Sequence, residues 1–154
     1  MPARAIPEGH HTVTPYLVVR GAAKTIDFAK KAFDAEYLFD PMKRPDGTIM
    51  HAEIKVGDSV IMISDATEEH PAMQSMLHLY VPDIDARYKK AVAAGGTSVM
   101  EPADQFYGDR SGGVKDPCGV MWYIATHKED VPMPELKKRA EAAMKQHAQG
   151  RKAS

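Results

Sequence analysis

The chain has 154 residues, of which 44% are hydrophobic and 27% charged, and its 20 basic and 21 acidic residues give a formal net charge of −1 with neutral histidines. This length and composition are typical of one compact globular domain and exclude a disordered polyelectrolyte or a fibrous protein. A charge so close to zero lacks the excess of Lys and Arg with which proteins bind phosphates, so nucleic acid is not an expected partner.

Neither a membrane span nor a secretory signal is expected from the sequence. No run approaches the roughly 20 apolar residues that cross a bilayer, and the N-terminal residues MPARAIPE contain no apolar signal-peptide core. The single cysteine, Cys118, cannot form an intramolecular disulfide and is interpreted as structural. These features predict a cytoplasmic protein without a membrane partner.

An internal repeat organises the sequence. Val19 and Val81 are separated by 62 residues (81 − 19), and Gly57 and Gly119 by the same number (119 − 57). Because the same spacing separates two pairs of identical residues in different elements, the repeat predicts two similar halves. The predicted organisation is an N-terminal arm at 1–11, a single domain at 12–126 with modules at about 12–66 and 75–126, and a C-terminal helix and tail at 127–154.

The first half alternates between strand and helix patterns. Ile26, Ala29 and Phe33 recur at helical spacing, and Gly57 with Asp58 suits the turn of a hairpin. The predicted elements are a strand at 17–19, a helix at 22–33, a strand at 35–39, and hairpin strands at 49–56 and 60–63.

The second half repeats this order. Asp83 is a good N-cap for a helix that carries Ile84 and Tyr88 on one stripe and ends at Gly95 and Gly96. The predicted strands lie at 77–81, 97–99, 113–115 and 120–125. The sequence therefore predicts an α+β fold of two tandem βαβββ modules.

A further helix is predicted after the second module. Leu136, Ala140, Ala143 and Met144 share one face of residues 135–149, and Pro134 suits the first helical turn. Its lysines and arginines allow the hypothesis that this helix binds a protein partner, although a solvated helix face is the simpler interpretation.

Four segments resemble a known family. They are residues 15–23 (PYLVVRGAA), 49–54 (IMHAEI), 105–112 (QFYGDRSG) and 116–119 (DPCG). Together with the tandem modules they resemble the vicinal oxygen chelate superfamily, also described as glyoxalase/bleomycin-resistance-like, and more closely its PhnB-like branch. The resemblance implies a cupped mixed sheet with outer helices, a small-molecule cavity and a homodimer. It leaves the function open, because this superfamily contains metal-dependent isomerases, lyases, dioxygenases and transferases as well as metal-free proteins that sequester a drug.

The metal ligands of the enzymatic members map onto poor donors in this sequence. The ligand positions are counted from Val19 and Val81, which end the first strand of each module, and from the turn residues Gly57 and Gly119. This count places them at Thr14, Ile61, Met76 and Tyr123. Divalent cations in such sites require imidazole nitrogens and carboxylate oxygens. No metal or other cofactor is therefore expected, and a standard glyoxalase I activity is disfavoured. A relocated metal site at His51 with Glu53 or His78 remains an alternative.

Strand alternation indicates which side chains share the predicted cavity. The inner face is predicted to carry Thr14, Tyr16 and Val18; Ser59, Ile61 and Ile63; Met76, His78 and Tyr80; and Met121, Tyr123 and Ala125. If Ala52 and Ile54 face the helix, His51 and Glu53 point into the cavity. The candidate ligand-binding residues are Tyr16, Glu53, Tyr80, Tyr107, Arg110 and Tyr123, and His51 and His78 are candidate general bases.

Purely structural interpretations of these residues remain alternatives. The histidines could be buried and hydrogen-bonded within the protein, and Glu53 could lie on a solvent-exposed strand face. Asp109 is more readily interpreted as a residue that holds its loop in place than as a ligand contact. The favoured prediction is a small-molecule-binding protein that captures an aromatic or apolar ligand. The alternative is a lyase, isomerase or transferase acting through a relocated divalent metal or through histidine acid/base chemistry.

Overall fold

The computed structural model describes residues 2–152, which form nine strands and three helices. The first module contains β1 (Tyr16–Val19), α1 (Ala22–Phe33), β2 (Glu36–Tyr37), β3 (Met42–Lys43), β4 (Ile49–Val56) and β5 (Ser59–Asp65). The second contains β6 (Met76–Tyr80), α2 (Ile84–Ala93), β7 (Thr97–Asp104), β8 (Asp109–Lys115) and β9 (Met121–His127), and α3 (Met133–Lys152) follows.

Each module forms its own mixed sheet with the same strand order. The first sheet runs β1-β5-β4-β2, with β3 also paired to β4, and the second runs β6-β9-β8-β7. In both sheets the first strand pairs in parallel with the last strand, while the other pairs are antiparallel. The predicted α+β fold with two tandem βαβββ modules is confirmed, including the C-terminal helix.

Helix α1 has the predicted bounds and buries the predicted stripe. Ile26 and Ala29 are no more than 1% exposed. The helix has no N-cap side chain of its own, because Gly21 precedes it at φ +94°. Instead, Asp65 at the end of β5 accepts hydrogen bonds from the backbone N–H groups of Gly21 and Ala22 at 3.0 and 2.8 Å. A carboxylate at this position satisfies otherwise unpaired amides and complements the helix dipole.

Helix α2 begins as predicted. The Asp83 side chain accepts a hydrogen bond from the Ala86 backbone N–H at 3.1 Å, which is a typical N-cap contact. The helix packs against α1, and Arg87 donates to the carbonyl of Ala32 and pairs with Asp34. The two modules therefore meet along their helices.

One hydrophobic core joins the modules. Trp122 on β9 is fully buried, and its ring centroid lies 6.0 Å from that of Phe28 and 5.1 Å from that of Phe33, both on α1. Beside it, the buried carboxylate of Asp116 accepts hydrogen bonds from Thr25 Oγ1 on α1 at 3.0 Å and from Trp122 Nε1 at 3.2 Å. Apolar burial and this carboxylate thus fix the second sheet to the first helix.

The structure differs from the predicted strands in several places, and β7 runs five residues beyond its predicted end at 99. The strand predicted at 35–39 is limited to the two residues of β2, and the short strand β3 was not predicted. Strand β8 begins at Asp109 rather than at Gly113, so half of the QFYGDRSG segment belongs to a strand. Its Gly and Ser residues have weak strand propensity, but pairing with β7 and β9 on both sides overrides it.

The predicted inner face of β5 is wrong by one residue. Ile61 and Ile63 are 4% and 0% exposed and belong to the hydrophobic core. Tyr16 pairs with Met62, so Met62 shares the face of Tyr16. The error arises because the two turn glycines are not equivalent: Val56 pairs with Ser59 across a two-residue turn, whereas Lys115 pairs with Met121 across a five-residue loop. Counting from Gly57 therefore shifts the register by one, which exchanges the two faces of a strand.

Helix α3 is longer than predicted, and Pro134 occupies its first turn as expected. None of its described side chains is buried. Among residues 2–152, no helix has the length and apolar character needed to cross a membrane.

Candidate functional site

The sequence-predicted residues Tyr16, His51 and Glu53 are brought together on one face of the first sheet. The phenol oxygen of Tyr16 on β1 lies 3.1 Å from His51 Nδ1, and His51 Nε2 lies 3.1 Å from Glu53 Oε1. His51 and Glu53 are two residues apart on β4, so their side chains point to the same side. Ala52 and Ile54 between and after them are fully buried on the opposite, helix-facing side. The alternation of β4 thus produces the predicted juxtaposition.

A fourth residue, His10, completes this cluster and was not selected from the sequence. Its Nε2 lies 3.0 Å from Glu53 Oε2, and its side chain is only 10% exposed. It lies in the segment predicted as an N-terminal arm, 43 residues before its partner. No periodic pattern marks such a contact in the sequence. Below, "the network" denotes Tyr16, His51, Glu53 and His10.

The hydrogen-bond geometry indicates which atoms of the network can donate and which can accept. Each histidine Nε2 lies within hydrogen-bond distance of a Glu53 oxygen, and a carboxylate oxygen is the acceptor in such a pair. The other ring nitrogen of His10 lies 3.2 Å from the carbonyl oxygen of Glu8, so both of its nitrogens face acceptors. His51 Nδ1 faces a hydroxyl, which can donate to it. With Nε2 of His51 donating to Glu53, Nδ1 is the ring nitrogen that can accept from the Tyr16 hydroxyl.

Apolar and aromatic side chains surround His51. The Phe39 ring stacks on the imidazole with a centroid distance of 6.2 Å and an interplanar angle of 21°. Met42 pairs with His51 across β3 and β4, and Met62 lies opposite both Tyr16 and Glu53. Tyr16, Phe39 and Met42 are 46%, 37% and 49% exposed. We call Tyr16, Phe39, Met42 and Met62 the aromatic face; it presents uncovered apolar surface beside a buried charged group.

His78, Tyr80 and Tyr123 lie on the second sheet and share one face, as predicted. His78 pairs with Tyr123 and Tyr80 with Ala125 between β6 and β9. His78 and Tyr80 also border a cleft of about 580 Å³ between the modules, which reaches Ile61 of the first sheet. The cleft has the volume of a small-molecule site. The predicted residues thus fall into two groups on different sheets.

A second hydrogen-bonded cluster surrounds Asp109, which is 5% exposed. Its carboxylate accepts from Tyr80 Oη at 3.2 Å and from His127 Nδ1 at 2.7 Å, while His127 Nε2 lies 2.7 Å from Asp130. The hydrogen bond to Asp109, reinforced by that to Asp130, raises the pKa of His127. The negative charge of Asp109 raises the pKa of Tyr80. These contacts tie β6, β8 and β9 to the segment before α3.

Arg110 is engaged by carboxylates. Its Nε and Nη2 donate to Asp85 at 2.8 and 3.0 Å, and Nη1 donates to Asp104 at 3.3 Å. These hydrogen bonds lower the pKa of Asp85 and raise that of Arg110. Tyr107 is 38% exposed and packs edge-on against Phe106. Because the guanidinium donors are used within the protein, Arg110 is a poor anchor for an anionic ligand.

The side chains present do not fit the metal site of the enzymatic relatives. Met62, rather than Ile61, pairs with Tyr16 and shares its face of the first sheet. Met76 and Tyr123 lie on the corresponding face of the second sheet. Thioether and neutral phenol are poor ligands for the divalent ions concerned. Within residues 2–152, no group of three or more His, Cys, Asp or Glu side chains is arranged to hold a metal ion. In the network, both histidine Nε2 atoms point at the Glu53 oxygens rather than at a common centre.

Two tandem βαβββ modules, each with its own mixed sheet, define the fold class of this chain. The chain belongs to the glyoxalase/bleomycin resistance protein/dioxygenase superfamily, whose family model matches residues 9–124. It is 36% identical over 149 residues to the uncharacterized protein Mb0911c of Mycobacterium bovis, covering 90% of this chain and 95% of that protein.

Solved structures share this fold at lower identity. Protein PA1353 from Pseudomonas aeruginosa is 23% identical with a TM-score of 0.62, covering 77% of this chain and 99% of that one. A PhnB protein from Bacillus cereus, described as a putative 3-demethylubiquinone-9 3-methyltransferase, is 20% identical with a TM-score of 0.57, covering 75% and 99%. At these identities the likeness supports the fold alone.

Proposed function

We propose that the protein binds a small aromatic or apolar molecule on the aromatic face, next to the network. The observation that carries this proposal is the contact of Glu53, a carboxylate with a 12% exposed side chain, with His51, whose ring is flanked by the half-exposed Tyr16 and Phe39. Small-molecule sites combine apolar and aromatic lining with a few fixed polar groups. Here the rings supply contact area, and His51, fixed by Glu53, supplies orientation.

The protein acts, under this proposal, as a cytoplasmic homodimer of the PhnB-like branch. The four segments that resemble this branch, residues 15–23, 49–54, 105–112 and 116–119, are the basis for this part of the proposal. Met76 and Tyr80, each 66% exposed on β6, support the dimer, because a second copy would cover apolar surface that is otherwise in contact with water. Sedimentation equilibrium tests this part: a mass of two chains is expected, and a monomer at all concentrations contradicts it.

Equilibrium dialysis with para-nitroanisole, an aromatic probe without a hydroxyl group, tests the binding proposal. Phe39→Ala is expected to weaken binding about fivefold, since aromatic stacking contributes about 1 kcal/mol beyond burial. Phe106→Ala is the matched control, because Phe106 is 39% exposed against 37% for Phe39 and lies in the second module. Equal loss in both variants, or no binding by the parent, contradicts the proposal.

A further inference from the structure

We propose that His51 Nδ1 is the proton acceptor for a weakly acidic hydroxyl group, a phenol or an enol, carried by the ligand; this rests on the proposed function of the aromatic face. The acceptor is fixed by the network. His51 Nε2–H donates to Glu53 at 3.1 Å, which leaves Nδ1 as the basic lone pair of the ring. A carboxylate that holds one imidazole nitrogen orients the other for general-base chemistry.

The Tyr16 phenol occupies the position of such a ligand. Its hydroxyl lies 3.1 Å from His51 Nδ1, and its ring centroid lies 5.7 Å from that of the imidazole at an angle of 39°. The ring is 46% exposed, and its hydrogen bond to His51 is exposed to solvent. An exposed hydrogen bond of this kind exchanges with water at small cost. An external phenol can therefore replace Tyr16 at His51.

The surroundings of His51 favour a flat ligand that carries this hydroxyl. Phe39 lies almost parallel to the imidazole at 21°, so a planar ring that hydrogen-bonds Nδ1 in place of Tyr16 lies at the edge of an existing aromatic pair. Met62 and Met42 border the same face with flexible thioether side chains, which adapt to different ring outlines.

The proton transfer is balanced within the site. The ligand O–H bond breaks, its electron pair stays on oxygen, and a new N–H bond forms at His51 Nδ1. The resulting imidazolium lies between the ligand anion and the Glu53 carboxylate, whose other oxygen lies 3.0 Å from His10 Nε2. The ion pair forms beside a mostly buried carboxylate, where electrostatic attraction is stronger than in bulk water. The Tyr16 hydroxyl is released to donate to the ligand oxygen or to water.

Para-nitrophenol tests this inference, because its anion absorbs at longer wavelength than its neutral form. At a pH below the pKa of the free probe, added protein is expected to produce the anion band. His51→Gln is expected to abolish the band and to weaken para-nitrophenol binding about tenfold, a larger loss than for para-nitroanisole, which has no hydroxyl proton to transfer. Tyr16→Phe removes the competing phenol and is expected to tighten para-nitrophenol binding about fivefold. His70→Gln, an exposed histidine outside the network, is the control and keeps the band.

The outcomes separate the two proposals. If neither probe binds the parent protein, the proposed function of the aromatic face fails. If both probes bind equally and no anion band forms, binding stands and the assignment of His51 as proton acceptor is overturned. The assignment is also overturned if the band persists in a folded His51→Gln variant, with folding checked by thermal unfolding.

Discussion

The carboxylate of Asp116 offers a direct test of how the two modules are joined. It is 4% exposed and accepts four hydrogen bonds. Oδ1 accepts from the backbone N–H groups of Cys118 and Val120 at 2.8 and 3.0 Å. Oδ2 accepts from Thr25 on α1 and from Trp122 on β9. Asp116→Ala therefore removes the partner of two turn amides and of two buried side chains at once.

The cost follows from which donors can find new partners. Cys118 N lies in a partly exposed turn, where water can replace the carboxylate. Thr25 and Trp122 are fully buried, and an unsatisfied buried donor costs about 1–3 kcal/mol. When the loss of hydrogen bonds to a charged acceptor is included, Asp116→Ala is expected to lower the free energy of unfolding by about 4 kcal/mol. Asp116→Asn keeps one oxygen for the turn amides and leaves chiefly Trp122 unpaired, so about 2 kcal/mol is expected.

Urea unfolding followed by fluorescence measures this loss, because Trp122 is the single tryptophan and lies beside the carboxylate. Asp58→Ala is the matched control: Asp58 occupies the corresponding turn of the first module and is exposed, and within residues 2–152 its side chain accepts a hydrogen bond only from Ser59. It is expected to change stability by no more than about 0.5 kcal/mol. A loss below about 1 kcal/mol for Asp116→Ala would refute the role of this carboxylate in joining the modules.

Two further predictions concern the segment that leads into α3. Hydrogen bonds to Asp109 and Asp130 raise the pKa of His127 above its usual value of 6.5. The contribution of protonated His127 to the free energy of unfolding is therefore fully present below about pH 6.5 and is lost as the pH rises through the raised pKa. His127→Gln should flatten the dependence of stability on pH in this range. Gly108 has φ +98°, and a Cβ there would lie 2.2 Å from the Glu129 carbonyl oxygen, so Gly108→Ala should cost about 3 kcal/mol or more in urea unfolding.

Each of these predictions has a control on the same protein. His147→Gln changes an exposed histidine on α3 and should leave the pH profile unaltered; a profile that His127→Gln does not change contradicts the first prediction. Gly57→Ala also replaces a positive-φ glycine, but at +58° and with no atom within 4 Å of the added Cβ, so about 1 kcal/mol is expected. Equal losses for both glycine variants would contradict the second prediction.

Local sequence signals were sufficient for much of the fold. Alternating apolar residues and the 62-residue spacing identified both modules, and Asp83 and the stripe of α1 located the helices. The face of β5 was predicted incorrectly because register depends on turn length, which the glycine spacing does not report. The extent of β8 was underestimated, since strand pairing on both sides outweighs the weak propensity of its Gly and Ser residues.

The candidate site was predictable only where its residues share a regular strand. His51 and Glu53 follow from the alternation of β4, and Tyr16 from that of β1. His10 reaches Glu53 from an irregular segment, and Phe39 stacks on His51 from a segment predicted as strand but outside β2. Neither contact follows from a periodic pattern, because the path of an irregular segment is determined by tertiary packing.

Nitrogen NMR of the histidine rings tests the central claim most directly, since the chemical shifts of Nδ1 and Nε2 report which nitrogen carries a proton. In the parent protein, we predict that His51 carries its proton at Nε2, which faces Glu53, and that Nδ1 gains a proton when para-nitrophenol binds. A His51 ring that is protonated at Nδ1 before the probe is added, or that does not change on binding, would contradict the account.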